Sequence, residues 1–296
     1  MRFEDATDFR RALEGRLKEL ADEDEVWLAR DRRSIAFGRM LARLNATAPG
    51  CWSLAGGFAL DCRSLRPRAA RELDIEWRVD RFEGYLEAEM DAVLHDAGDL
   101  FEFGTRVGGS GVSGRRGAHR RIVVNTYLAG ELFETSDLKF RLRFGDVGTE
   151  KLQTENLLDF AGIEPVEVDA MAIEVQLADQ LLDYTKAVAH EADSPSAENL
   201  LDLKLIAELP ALDATNLALS ISALFGSRNE APPESLPAPS EESDEWYDSY
   251  ERVAGAMGAP TDLDDGHSEA AALLDPILSG EIFTGTWSPT ERCWMP

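Results

Sequence analysis

Apolar residues recur every three or four positions through the first part of the chain, with charges between them. Phe9, Leu13, Leu17 and Leu20 share one helical face, and Ile35, Phe37, Met40, Leu41 and Leu44 mark a second helix ending near Asn45 to Gly50. The period then changes. Trp52-Ser53-Leu54-Ala55-Gly56-Gly57 reads as a short strand entering a glycine turn, and Phe58 to Cys62 as a short helix. Positions 73–79 alternate as a half-buried strand does, and 82–97 return to helix. Two more strands are predicted over 121–128 and 138–144, joined by a hairpin-like turn at Ala129-Gly130-Glu131 and preceded by a glycine- and serine-rich loop over 108–117.

From 170 to 224 the pattern is helical, broken around Ser194-Pro195-Ser196. Residues 231–243 are rich in Pro, Ser and Glu and read as a linker or surface strap. Helix resumes over 246–257 and 268–278, and a Trp-rich strap runs from Thr286 to Trp294. The expected fold class is α+β: a small mixed sheet with flanking helices over 1–165, then a helical C-terminal region over 166–296.

Composition narrows the class. The 296 residues suffice for a substantial core, and 44% hydrophobic with 29% charged residues is ordinary for a globular protein. No apolar run approaches the roughly 20 residues of a membrane span. The charged start Met1-Arg2-Phe3-Glu4-Asp5 lacks an apolar signal segment, so no membrane association and a cytoplasmic location are expected. Cys51, Cys62 and Cys293 have no zinc-type spacing and are expected as reduced thiols. The net charge of −26 opposes unaided binding to a nucleic-acid backbone. Such a role would need a local basic patch, metal ions or a basic partner.

Candidate chemistry starts at Glu72, Asp74 and Glu76. On a strand, side chains two apart share a face, so these carboxylates would project together. Close carboxylates repel unless a cation lies between them, and Mg²⁺ is held by one or two carboxylates plus substrate phosphates. Upstream, Gly56-Gly57 lets backbone N–H groups approach a triphosphate. A Gly-Gly turn, a short helix and an acidic strand are the general plan of polymerase-β-like nucleotidyltransferases. The bland alternative is a solvated acidic strand face.

The sequence resembles the AbiEii/AbiGii-type nucleotidyltransferase toxins from about residue 9 to its end. The likeness is carried by Trp52 to Arg63, Arg66 to Ile75, Phe144-Gly145-Asp146, Leu157 to Pro165, Glu174 to Lys186, Ser196 to Ala207, Leu274 to Leu278, Trp287-Ser288-Pro289 and Trp294, in order and spacing. The resemblance implies transfer of a nucleotide from an NTP to an RNA acceptor such as a tRNA end, with Mg²⁺, as the toxin of a pair with a cognate antitoxin. It implies that Gly56 and Gly57 cradle the triphosphate and that Glu72 and Asp74 hold the metal. Arg68, Arg116 and Arg120 would also contact the nucleotide. Asp202 would position or deprotonate the acceptor hydroxyl, and Gln180 would contact phosphate where the family has lysine. A register shifted by two would make Asp74 and Glu76 the metal pair instead.

The departures from the family pattern fall on charged positions. Arg141 stands where a third carboxylate is expected, Ala55 and Gln180 where lysines are, and Ser196, Glu198 and Asn199 where Arg, Lys and Asp are. Arg141 would repel a second metal or pair with Glu72 and Asp74. The alternative function is therefore a catalytically degenerate binding or regulatory module that keeps the fold. Two compensations are open. Arg106, Arg115, Arg116, His119, Arg120 and Arg121 form a basic stretch that could bind phosphate or pair with the protein's own acids, and Lys139, Arg141 and Arg143 could share a strand face with it. The scattered histidines read as surface residues, and Gly-Gly-Ser-Gly-Val-Ser-Gly lacks the lysine of a P-loop.

Overall fold

The structure, a computed structural model, describes residues 1–22, 24–64, 69–78, 93–107, 119–143, 148–189, 197–239 and 244–296. The chain forms two compact units, Met1–Met171 and Ala172–Pro296. The first is a mixed sheet with helices; the second is mostly helical.

In the first unit, α1 (Ala6–Ala21) and α2 (Glu25–Thr47) begin on Asp5 and Asp24. Each aspartate side chain accepts hydrogen bonds from two backbone N–H groups of the first turn, which otherwise lack partners. Strand β1 (Trp52–Ala55) runs straight into the short helix α3 (Gly56–Asp61). The remaining strands are β2 (Glu72–Arg78), β3 (Phe101–Val107), β4 (His119–Leu128), β5 (Glu131–Arg143), β6 (Thr149–Gln153) and β7 (Glu167–Met171). They form one seven-stranded sheet in the order β3-β4-β5-β2-β1-β7-β6. β2 runs antiparallel to β1 and parallel to β5.

The predicted hairpin is present. Ala129 and Gly130 both have positive φ, at 55° and 73°, and connect Leu128 to its partner Glu131. Two left-handed residues give a two-residue loop the twist its strands require. β3, β6 and β7 are not among the strands that the sequence pattern predicts. The predicted helix over 82–97 and the strand end at Phe144-Gly145-Asp146 lie largely or wholly outside the described residues.

One sheet face is largely apolar. Trp52 and Leu54 of β1, Leu73, Ile75 and Trp77 of β2, Ile122 and Val124 of β4, and Leu138 and Phe140 of β5 pack with Phe37, Met40, Leu41 and Leu44 of α2 and Phe58 of α3. A second cluster joins Phe9, Leu13 and Leu17 of α1 to Phe101, Leu128 and Phe133. Arg43 of α2 crosses between them, 1% exposed. Its Nη1 and Nη2 donate to Asp99 at 2.9 and 2.8 Å, Nη2 also donates to the Phe101 carbonyl at 2.8 Å, and the guanidinium lies 4.4 Å from the Phe103 ring centre. A buried charge is tolerated when paired with an opposite charge in this way, and the pairing ties the β3 edge to α2.

The second unit holds α4 (Ile173–Ala189), α5 (Ala197–Ala207), α6 (Ala214–Ser227), α7 (Asp244–Ala256) and α8 (Leu263–Leu278), then a hairpin of β8 (Thr286–Ser288) and β9 (Cys293–Met295). Helix α5 is buried along nearly its whole length, as the central member of a bundle must be. Residues 231–239 form a strap: the Leu236 N–H donates to Asp275 at 2.7 Å, and the Pro237 carbonyl accepts from the Tyr184 hydroxyl at 2.8 Å. Among the described residues no helix is long and apolar enough to cross a membrane.

Candidate functional site

Because β2 alternates, the strand that sends Leu73, Ile75 and Trp77 into the core sends Glu72, Asp74 and Glu76 to the opposite face. Asp74 is 4% exposed and lies opposite Ala55 in the β1–β2 register, next to the start of α3. Gly56 has φ of +66°, a conformation that favours glycine. A Cβ added there would fall 2.9 Å from Asp74 Cγ and would collide with its Oδ2. The Gly-Gly turn and the acidic strand are thus in direct contact, and Gly57 behind them is buried.

The next strand is the counterpart. In parallel register, Asp74 is level with Lys139 and Glu76 with Arg141 of β5. Each cation leans back along the strand by one pleat repeat. Lys139 Nζ reaches Glu72 at 2.5 Å, and Arg141 Nη2 reaches Asp74 at 3.2 Å. Arg141 Nη1 and Arg143 Nη1 lie 3.8 and 3.9 Å from Glu76. Among the described residues three carboxylates therefore face three cations, and their charges balance within a chain of net charge −26. Burial pushes the Asp74 carboxyl above the usual range, and nearby Glu72 adds to that; Arg141 and Lys139 oppose it. On the far side of Lys139, Arg121 of β4 clasps Asp137, whose carboxyl that hydrogen bond holds below its ordinary range.

The predicted site residues divide as follows. Glu72, Asp74 and Gly56 come together, with Glu72 the more open and Asp74 the more buried carboxylate. Arg120 does not join them. It is level with Phe140, so it belongs to the face of Ile122 and Val124, opposite the carboxylates; the pleat puts Arg121 on the carboxylate side instead. Arg68 and Arg116 lie outside the described residues. Gln180 and Asp202 belong to the second unit. Gln180 is half-buried on α4, and Asp202 on α5 is 1% exposed.

The structure also tests whether these residues suit Mg²⁺. The spacing on β2 is right, but each acidic side chain already has a cationic partner from β5. Among the described residues no group of three His, Cys, Asp or Glu side chains could hold a metal ion. A divalent cation gains from carboxylates whose charge is uncompensated. With each carboxylate engaged by a cation of β5, the described residues of this site do not fit one.

No protein-family model and no curated protein matches the sequence. Among solved structures, MenT4, a nucleotidyltransferase toxin from Mycobacterium tuberculosis H37Rv, is similar, with a TM-score of 0.58 and 17% identity. The match covers 90% of this chain and 89% of that one. The chain shares its fold, over nearly its full length, with a nucleotidyltransferase toxin.

Proposed function

We propose that this chain is a nucleotide-binding protein of the nucleotidyltransferase-toxin type, which holds an NTP by its phosphates over the polar face of the sheet. The observation that carries this reading is the contact of Asp74 with Gly56, flanked by the Lys139, Arg141 and Arg143 row. The glycine turn leaves backbone free of side chains, and the cations supply the positive charge that phosphate requires. With its carboxylates engaged by its own cations, the protein would transfer nucleotides weakly or not at all.

A second reading is an active transferase that passes a nucleotide to an RNA acceptor such as a tRNA end, restrained by a cognate antitoxin. The likeness to a nucleotidyltransferase toxin favours it. Two measurements separate the readings. Titration calorimetry with each of the four NTPs should show binding of at least one below millimolar concentration, and silence with all four would end the nucleotide reading altogether. Incubation with radiolabelled NTPs and total tRNA should leave the RNA unlabelled under the first reading; robust labelling would establish the second.

A further inference from the structure

The mismatch between the acidic strand and a divalent ion has a positive side. A cation is present at this site, but it belongs to the protein. The Arg141 guanidinium spans Asp74 and Glu76, and Lys139 Nζ holds Glu72, so positive charge already fills the space between the carboxylates. Arg141 keeps 44% of its side chain exposed and Lys139 29%, whereas the Asp74 and Glu76 side chains beneath are 5% and 7% exposed. Over Asp74 and Glu76 the guanidinium is thus the accessible layer and the acids the floor, while Glu72, 37% exposed, is as open as its partner Lys139. An approaching phosphate meets guanidinium and ammonium groups first. An approaching metal ion finds each carboxylate already engaged by a cation of the protein.

We infer that phosphate binding at this face is independent of divalent metal, with Lys139 and Arg141 serving where the fold would otherwise place a metal ion. This inference rests on the nucleotide-binding reading above and specifies the charge that does the binding. A planar guanidinium suits phosphate oxygens through paired N–H donors, and it cannot be removed by a chelator. Asp74 and Glu76 hold Arg141, and Glu72 holds Lys139, before ligand arrives, so little side-chain ordering remains to be done on binding.

Three arms test this on the full chain. The first titrates manganese ions into the nucleotide-free protein and follows their electron paramagnetic resonance signal. Wild type should show no site tighter than about 1 mM, and Arg141→Asp should create one; a wild-type site in the micromolar range would overturn the inference without any nucleotide being present. The second measures binding of inorganic triphosphate and of the best NTP in EDTA and in Mg²⁺. Affinities equal within about threefold are expected, and binding that needs Mg²⁺ would overturn the inference while leaving the nucleotide reading standing. Absence of binding under both conditions would overturn both. In the third, Lys139→Ala should weaken triphosphate binding tenfold or more in EDTA, with Lys139→Arg restoring it; an unchanged affinity in a folded Lys139→Ala protein would again refute the inference.

Discussion

Replacing Gly56 by alanine probes the geometry on which the site depends. The residue sits at φ +66°, where an L-amino acid with a Cβ costs about 1–2 kcal/mol. The new methyl would lie 3.0 Å from Asp74 Cβ and 2.9 Å from Cγ, so the carboxylate must turn away. Turning breaks its 3.2 Å contact with Arg141, and a hydrogen bond to a charged group is worth about 1.5–3 kcal/mol. Together the two terms give a loss of about 2.5–5 kcal/mol. For a unit the size of Met1–Met171 that corresponds to about 5–20 °C in Tm by scanning calorimetry. Gly130 is the control: its φ is +73°, and no heavy atom lies within 4 Å of an added Cβ. Gly130→Ala should lose the backbone part alone, about 1–2 kcal/mol. The double variant Gly56→Ala with Asp74→Ala removes the collision with the carboxylate, leaving only the 3.0 Å approach to Cβ, and should show a coupling of at least about 1 kcal/mol relative to the sum of the single variants. Equal losses at Gly56 and Gly130, with no coupling, would mean that Asp74 does not rest against the turn.

Other outcomes follow from the same structure. Arg43→Ala leaves Asp99 with Arg39, 2.9 Å away, as its remaining cation, and losing a hydrogen bond to a charged group costs about 1.5–3 kcal/mol, measurable as a lower urea midpoint. Arg120→Ala should leave NTP affinity within about twofold of wild type, because its side chain starts from the apolar face; calorimetry beside Lys139→Ala checks this. Burial first, and the neighbouring Asp61 second, push the Cys62 thiol up to about 12, whereas Cys293 is exposed. Iodoacetamide at pH 8 should therefore label Cys293 well before Cys62 in the native protein, with peptide mass spectrometry as the readout.

Local periodicity made much of this fold legible. The alternation in β2 and β5 gave both the strands and the faces their side chains take, and Ala129-Gly130 marked the hairpin. β6 reads Thr-Glu-Lys-Leu-Gln, a polar edge strand without the apolar alternation that reveals strands. β7 is a five-residue strand whose pairing with β1 is non-local. The placement of Arg120 was recoverable from sequence. Ile122 and Val124 show which parity of β4 is apolar, and Arg120 shares it. What no local pattern could supply was the parallel pairing of β2 with β5. The sequence allowed Arg141 to repel a metal or to pair with acids; the register decides for pairing with Asp74 and Glu76, while Glu72 falls to Lys139.

That register binds two tasks into one. On β5 the order Lys139-Phe140-Arg141-Leu142-Arg143 places alternate residues over the acids and in the apolar interior. Sliding the strand by a single position would drive three positive charges inward and turn Phe140 and Leu142 to the polar side. A one-residue insertion or deletion between Lys139 and Arg143 would therefore exchange the charged and apolar faces of the strand beyond it. New specificity has to come by exchanging one side chain at a time.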